Sequence, residues 1–490
     1  MIDLLQTLPN RTYRHARRLT RKYGVFWVGA IIVGLVAVLY ARLIDFGFGV
    51  FAQLEHRHFW LPLLLTPAAS ALAAWLTRRF FPGSEGSGIP QVIATLQVGG
   101  SEMGKRLLSL RIAAAKIVIS FIAILGGLTI GREGPTVQVG SAIMFNLRRF
   151  YPRSNQLLDR QLALAGAAAG LSAAFNTPLA GIVFAIEELS RSFEQRASGV
   201  VITAIVFAGI VALGLNGNYT YFGAINITAP FPKLMAVAVV VTAVVTGIAG
   251  GIFGWLLLNT NRWIPVRIQQ LRKSQPVQFA ALCGLVVAVV GVIAGGATFG
   301  SGYAEARGLL EGGHPLSLFY PFMKFVSMVG SYLPGIPGGI FAPSLSIGAG
   351  FGNLLHELFS SMSLPMLIAL GMVGYLAGVT QSPITAFVIV MEMINGHALV
   401  ISLMATSLIA SRVARLFAPP LYEALSERYA PPTLIAPVVS ADTRSDYHGN
   451  DQDETRAGID PATGVEPEID LESESGADTD TDPGTGNPQR

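Results

Sequence analysis

The apolar residues of this chain come in runs, and many of the runs are too short to cross a bilayer. Residues 25–50 and 59–76 form the first two. Others follow near 107–130, 135–147, 162–174, 178–189, 199–215, 233–258, 277–298, 317–330, 340–359, 364–379, 383–394 and 398–417. A run must hold about 20 residues to span roughly 30 Å of hydrocarbon, and those of 10–15 residues cannot. Irregular backbone at membrane depth is tolerated only where it is buried in protein or lines a cavity. Short runs interrupted by glycine and proline therefore read as half-helices that meet inside the membrane. Composition points the same way: 51% of the 490 residues are hydrophobic and only 13% charged, about half the charge of a soluble domain. The mean hydropathy is +0.52. The fold class is an all-α polytopic membrane protein. The single cysteine, Cys283, lies in an apolar run, so neither a disulfide framework nor a cysteine metal site is expected.

The net charge of +4 hides a split. From Val438 onward fourteen Asp and Glu stand against three Arg, a net of −11, which leaves +15 for the remainder. Residues 431–490 are read as an acidic disordered tail, too polar to build a core. Residues 1–24 carry Arg11, Arg14, Arg17, Arg18, Arg21 and Lys22 against Asp3, and this basic flank places the N-terminus in the cytoplasm. Arg78-Arg79 closes the second run in agreement. The first run is too long for a cleavable leader. Lys105-Arg106, Arg148-Arg149 and the stretch from Arg262 to Lys273 mark turns at an aqueous face.

Three patterns recur in order. Gly86-Ser87-Gly88 is echoed by Gly300-Ser301-Gly302. Gly131-Arg132-Glu133-Gly134-Pro135, with Gly140, is echoed by Gly339-Ile340-Phe341-Ala342-Pro343, with Gly348. Thr177-Pro178 and Glu187 are echoed by Ser382-Pro383 and Glu392. Residues 25–430 thus form one membrane domain of two repeated halves, about 25–215 and 233–420. Counting ambiguous spans does not separate parallel from inverted halves; the inverted arrangement is the one taken. Broken helices at equivalent positions point to a midplane binding site. A charge at that depth costs about 2.5–3.5 kcal/mol on insertion scales, which singles out Glu133. Glycines there allow close backbone approach, Pro135 suits a first helical turn, and a helix N-terminus binds anions. Glu133 is then an anion seated in such a site, or a proton carrier beside it.

Gly86-Ser87-Gly88-Ile89-Pro90, Gly131-Arg132-Glu133-Gly134-Pro135 and Gly339-Ile340-Phe341-Ala342-Pro343 resemble the three signature motifs of the CLC family of chloride channels and proton/chloride antiporters. Tyr422, after Pro419-Pro420-Leu421, matches the family's fourth contributor. The resemblance covers about residues 25–430. It implies that a central chloride contacts the hydroxyls of Ser87 and Tyr422 and the backbone N–H groups of Ile340 and Phe341. It implies that Glu133 is the gating glutamate, which competes with chloride for the same donors and swings away when protonated. Glu188 matches the internal proton-transfer glutamate of the family's antiporters, replaced in its channels; the plainer reading is a helix-end carboxylate paired with Arg191. Lys116 matches a buried lysine without a direct role. Gln91 departs from the Glu of many relatives, outside the anion contacts. Ser87 favours chloride; nitrate exchangers carry proline there and fluoride exporters methionine.

Helix N-termini suit the task, because each contributes about 0.3–2 kcal/mol to an anion, whereas conduction needs binding weak enough for release. The reading is a secondary active proton/chloride antiporter, with a passive chloride channel as the alternative; Glu188 argues against the channel. A membrane enzyme or scaffold would need clustered nucleophiles, bases or metal ligands at depth, and none is found. His356-Glu357 is not a zinc-protease site, and no glycine loop is followed by Gly-Lys-Ser/Thr. The expected partners are chloride, protons, the lipid bilayer and a second copy of the chain, with one pathway per subunit. No cofactor, metal or nucleic acid is expected. The 68 residues after Tyr422 leave no expectation of paired nucleotide-binding modules. The expected location is the cell (inner) membrane, with both termini cytoplasmic. The chloride route is expected to offer no titratable group on its cytoplasmic side, so protons must enter through Glu188.

Overall fold

The computed structural model describes residues 10–98, 101–151, 155–190, 199–217, 220–223, 234–312 and 316–429, with side chains from Tyr23 onward. The acidic tail, Arg191 and most of the basic N-terminal segment lie outside the described residues. Those described belong to one unit that closes at Ala436. They are helical, and among them no β-strand occurs. Six helices are long and apolar enough to cross a membrane, including residues 23–57, Met235–Leu258 and Pro276–Ile293. Their outward faces carry exposed Leu39, Phe46, Ile210 and Ile293, as lipid-facing surfaces do.

Other helices are short. Ile89–Val98 has 10 residues, Glu133–Asn146 has 14, Phe341–His356 has 16 and Pro383–Met393 has 11. At 1.5 Å per residue they are roughly 15–24 Å long, and Ile89–Val98, Glu133–Asn146 and Phe341–His356 start inside the protein. Proline opens several of them, as at Pro178 and Pro383, where the missing N–H costs nothing. Arg262 to Lys273, expected as a turn, instead forms two short helices, Thr260–Trp263 and Val266–Ser274.

Sequence-equivalent positions meet in equivalent ways. Gln156–Phe175 and Leu364–Thr380 are buried on every side over most of their length, and a helix apolar all round belongs inside. Each lies against its half's motif helix through glycine. A β-carbon at Gly140 would stand 2.3 Å from the Gly166 carbonyl, and one at Gly348 would stand 2.4 Å from that of Gly371. Asn176 and Gln381, each one residue before the Thr-Pro or Ser-Pro step, both adopt φ of 58°. Gly131 and Gly339 exchange backbone hydrogen bonds of 2.8 and 2.7 Å in an antiparallel bridge. Two equivalent residues are thus paired with opposed local chain directions. The CLC-like fold of repeated halves with broken helices is therefore carried by local contacts as well as by pattern.

Candidate functional site

The three glycine motifs are laced together by backbone bonds. Gly86 donates to the Ile336 carbonyl at 3.2 Å, Gly338 donates back to Gly86 at 3.1 Å, and the Gly131–Gly339 bridge joins the other two motifs. Ser87 presses on Gly134 so closely that a β-carbon there would lie 2.2 Å from its Oγ; only glycine fits. Helices Glu133–Asn146 and Phe341–His356 begin at this junction, and neither has a side-chain cap at its N-cap residue, Arg132 or Ile340. Their first N–H groups are left for another acceptor. Tyr422 is fully buried in the first turn of Leu421–Ser426. Its ring lies 6.1 Å from Phe341, which also meets Phe175 at 5.9 Å and Phe184 at 6.4 Å. Four helix ends thus share one aromatic cluster.

Buried polar atoms short of protein partners mark what such a site is built to hold. Ser87 Oγ, Tyr422 Oη and Glu133 Oε2 are all buried, and the two hydroxyls have no side-chain partner beyond each other. Glu133, 1% exposed, has its carboxylate beside its own amide and that of Ala342. Its carboxylate therefore faces donors from both motif helices. Arg132 reaches from this centre toward the first helix. It donates to the Ala41 carbonyl at 2.9 Å and to Asp45 at 2.6 Å, tying the motif to helix Asn10–Arg57.

Glu188 lies in a π-helical turn, Ala185–Ser190, that continues Pro178–Phe184; such turns occur often at functional sites. It is buried and accepts a hydrogen bond from Ser382, the residue before Pro383. Glu187, its neighbour, goes elsewhere. It accepts from the amides of Ile384 at 3.0 Å and Thr385 at 2.5 Å. Glu392 does the same for Leu179 at 3.2 Å and Ala180 at 2.7 Å. Each half thus caps the other half's helix with a carboxylate at the equivalent position.

Sequence reasoning missed three residues here. Ser382 carried a repeat signal but no assigned role. Tyr221, whose hydroxyl donates to Glu133 Oε1 at 3.4 Å, lies in the aperiodic stretch between the halves, where nothing marks it. Glu85 corrects an expectation. A cavity reaching Gly86 and Ser87 is lined by Glu85, Arg272, Arg428 and Tyr332, so a carboxylate does stand in the space beside Ser87. Its charge next to the first motif was the available signal. Gln91 and Lys116, given no direct role from sequence, hold this loop. Gln91 Nε2 donates to the Glu85 carbonyl at 2.6 Å, and Lys116 Nζ donates to Gln138 at 2.5 Å. Lys324 serves the echoed motif, donating to the carbonyls of Thr298, Phe299 and Gly300 at 3.0, 3.1 and 3.0 Å.

Broken helices with uncapped N-termini, buried hydroxyls and a buried carboxylate define a polytopic membrane protein with an anion-suited centre. The family described as voltage gated chloride channel matches residues 69–415. The chain belongs to that CLC family. A relative from Klebsiella pneumoniae, the H(+)/Cl(-) exchange transporter ClcA, is 30% identical over 434 residues, 83% of this chain and 89% of that one. The Vibrio cholerae protein of the same name is 30% identical over 75% of this chain and 80% of its own. Among solved structures, a slow cyanobacterial Cl-/H+ antiporter superposes with a TM-score of 0.70 at 24% identity, covering 83% of this chain and 97% of that one. A eukaryotic CLC transporter does so at 0.66 and 21%, covering 84% and 74%.

Proposed function

We propose that this chain is a secondary active proton/chloride antiporter of the cell (inner) membrane, with both termini cytoplasmic. One observation carries the reading: the Glu133 carboxylate faces amides from both motif helices, beside the buried Ser87 and Tyr422 hydroxyls. A carboxylate and a chloride ion have the same charge and want the same donors, so they exchange. Chloride is held by Ser87, Tyr422 and the amides of Ile340 and Phe341. Protonation neutralises Glu133 and frees its donors for chloride. Glu188, seated against Ser382, carries protons on a separate path; buried glutamates commonly do so in transporters. Gly86, Gly88, Pro90, Gly131, Arg132, Gly134, Pro135, Gly339, Ala342 and Pro343 shape the backbone around them. The names of the relatives support exchange over passive conduction. The working unit is a homodimer with one pathway per subunit, and no catalytic chemistry is assigned.

The test is a reversal potential in liposomes under a pH gradient. An exchanger given only a chloride gradient drives protons uphill, and its reversal potential moves with pH. A potential that tracks chloride alone would make this protein a channel.

A further inference from the structure

Tyr221 stands where a hydroxyl can do only one thing. Arg132 Nη2 lies 3.5 Å from Tyr221 Oη, and Tyr221 Oη lies 3.4 Å from Glu133 Oε1. A guanidinium has donors and no acceptor, so the hydroxyl accepts from Arg132 and turns its own proton to Glu133. A hydroxyl polarised by a cation on one side is a better donor on the other. The ring is fixed as well. It lies under the Arg132 guanidinium at 5.9 Å and is wedged among Tyr303 at 4.8 Å, Phe222 at 5.1 Å and Phe175 at 5.9 Å. Phe222 in turn donates its amide to the Met393 carbonyl at 3.0 Å, which anchors the segment to the second half. The residue is 4% exposed.

We propose that Tyr221 is a positioning residue that latches the ionised Glu133 in the anion site, so that chloride must compete against three donors. The inference rests on the antiport reading. The two amides, from Glu133 and Ala342, lie in the first turns of the same two helices that begin at the chloride contacts. The Tyr221 hydroxyl donates to the carboxylate and accepts from Arg132, and it is not among the chloride contacts assigned above. It therefore biases the contest toward the closed, ionised state without lowering the affinity of the vacated site. Other groups face Glu133: Arg132, whose charge is matched by Asp45 at 2.6 Å, and the hydroxyls of Tyr40 and Tyr422. None of these passes a hydrogen bond from Arg132 to the carboxylate.

The test is Tyr221→Phe, which keeps the ring and its packing. In liposomes the variant should compete better for chloride at alkaline pH. Its apparent KM for chloride should fall roughly three- to tenfold, the worth of one hydrogen bond. Its flux should persist to higher pH than that of the parent. In a Glu133→Gln background the same change should alter neither KM nor pH profile, since no ionised carboxylate remains to be held; chloride flux in that double variant also shows that the protein folds. An unchanged KM and pH profile in Tyr221→Phe, or an equal effect with and without Glu133, would overturn the latch. Absence of chloride-coupled proton movement in the parent protein would instead overturn the antiport reading.

Discussion

A carboxylate that faces the amides of an anion site can be neutralised without dismantling the site. Glu133→Gln imitates the protonated form permanently. Chloride flux should continue in liposomes, while proton movement and pH dependence vanish. Chloride-driven proton uptake in that variant, read with a pH electrode, would remove Glu133 from the mechanism. Ser87→Pro deletes a buried hydroxyl and reshapes the loop pressed on Gly134. Preference should shift from chloride toward nitrate, read by calorimetry with both anions; unaltered binding would mean that the central site lies elsewhere. Ser87, Glu133, Ile340, Phe341 and Tyr422 were legible in the sequence because the backbone there allows few residues. Where a β-carbon would collide with a serine, glycine must stand, and the pattern survives. Tyr221 was not legible, because its role depends on where an aperiodic stretch happens to come down over the site.

The helix that carries Glu188 shows how far spacing can be read. Thr177-Pro178 and Ser382-Pro383 announced two equivalent starts, and Glu187 and Glu392 lie nine residues beyond the prolines. The spacing did not disclose that these glutamates trade places, each capping the other half's helix, because a repeat tells which residues correspond and not which touch. Nor did it disclose the π-helical turn, since the apolar pattern there is only a few residues long. The consequence separates two adjacent carboxylates. Glu188→Gln should abolish proton transport and leave chloride movement. Glu187→Gln should leave coupling largely intact and instead cost stability of the order of 1 kcal/mol, as loss of a helix cap does, seen as a lower melting midpoint in detergent. Loss of proton transport in Glu187→Gln with Glu188→Gln unaffected would reverse the assignment.

At the scale of the molecule, every motif of the site lies in one chain, so a dimer should contain two independent pathways. Dimers that mix parent subunits with Glu133→Gln subunits should retain half of the coupled exchange, measured as proton uptake per dimer. Complete loss would mean that the subunits act jointly. The crossed caps carry a further consequence, one of timing. The amides of Leu179 and Ala180 wait for Glu392, which follows them by 213 and 212 residues. At a synthesis rate of about 5–20 residues per second, the ribosome needs roughly 10–40 s to deliver it. Throughout that interval the first turn of Pro178–Phe184 lacks its carboxylate cap, and the seat of Glu188 against Ser382 likewise cannot form before the second half has been made.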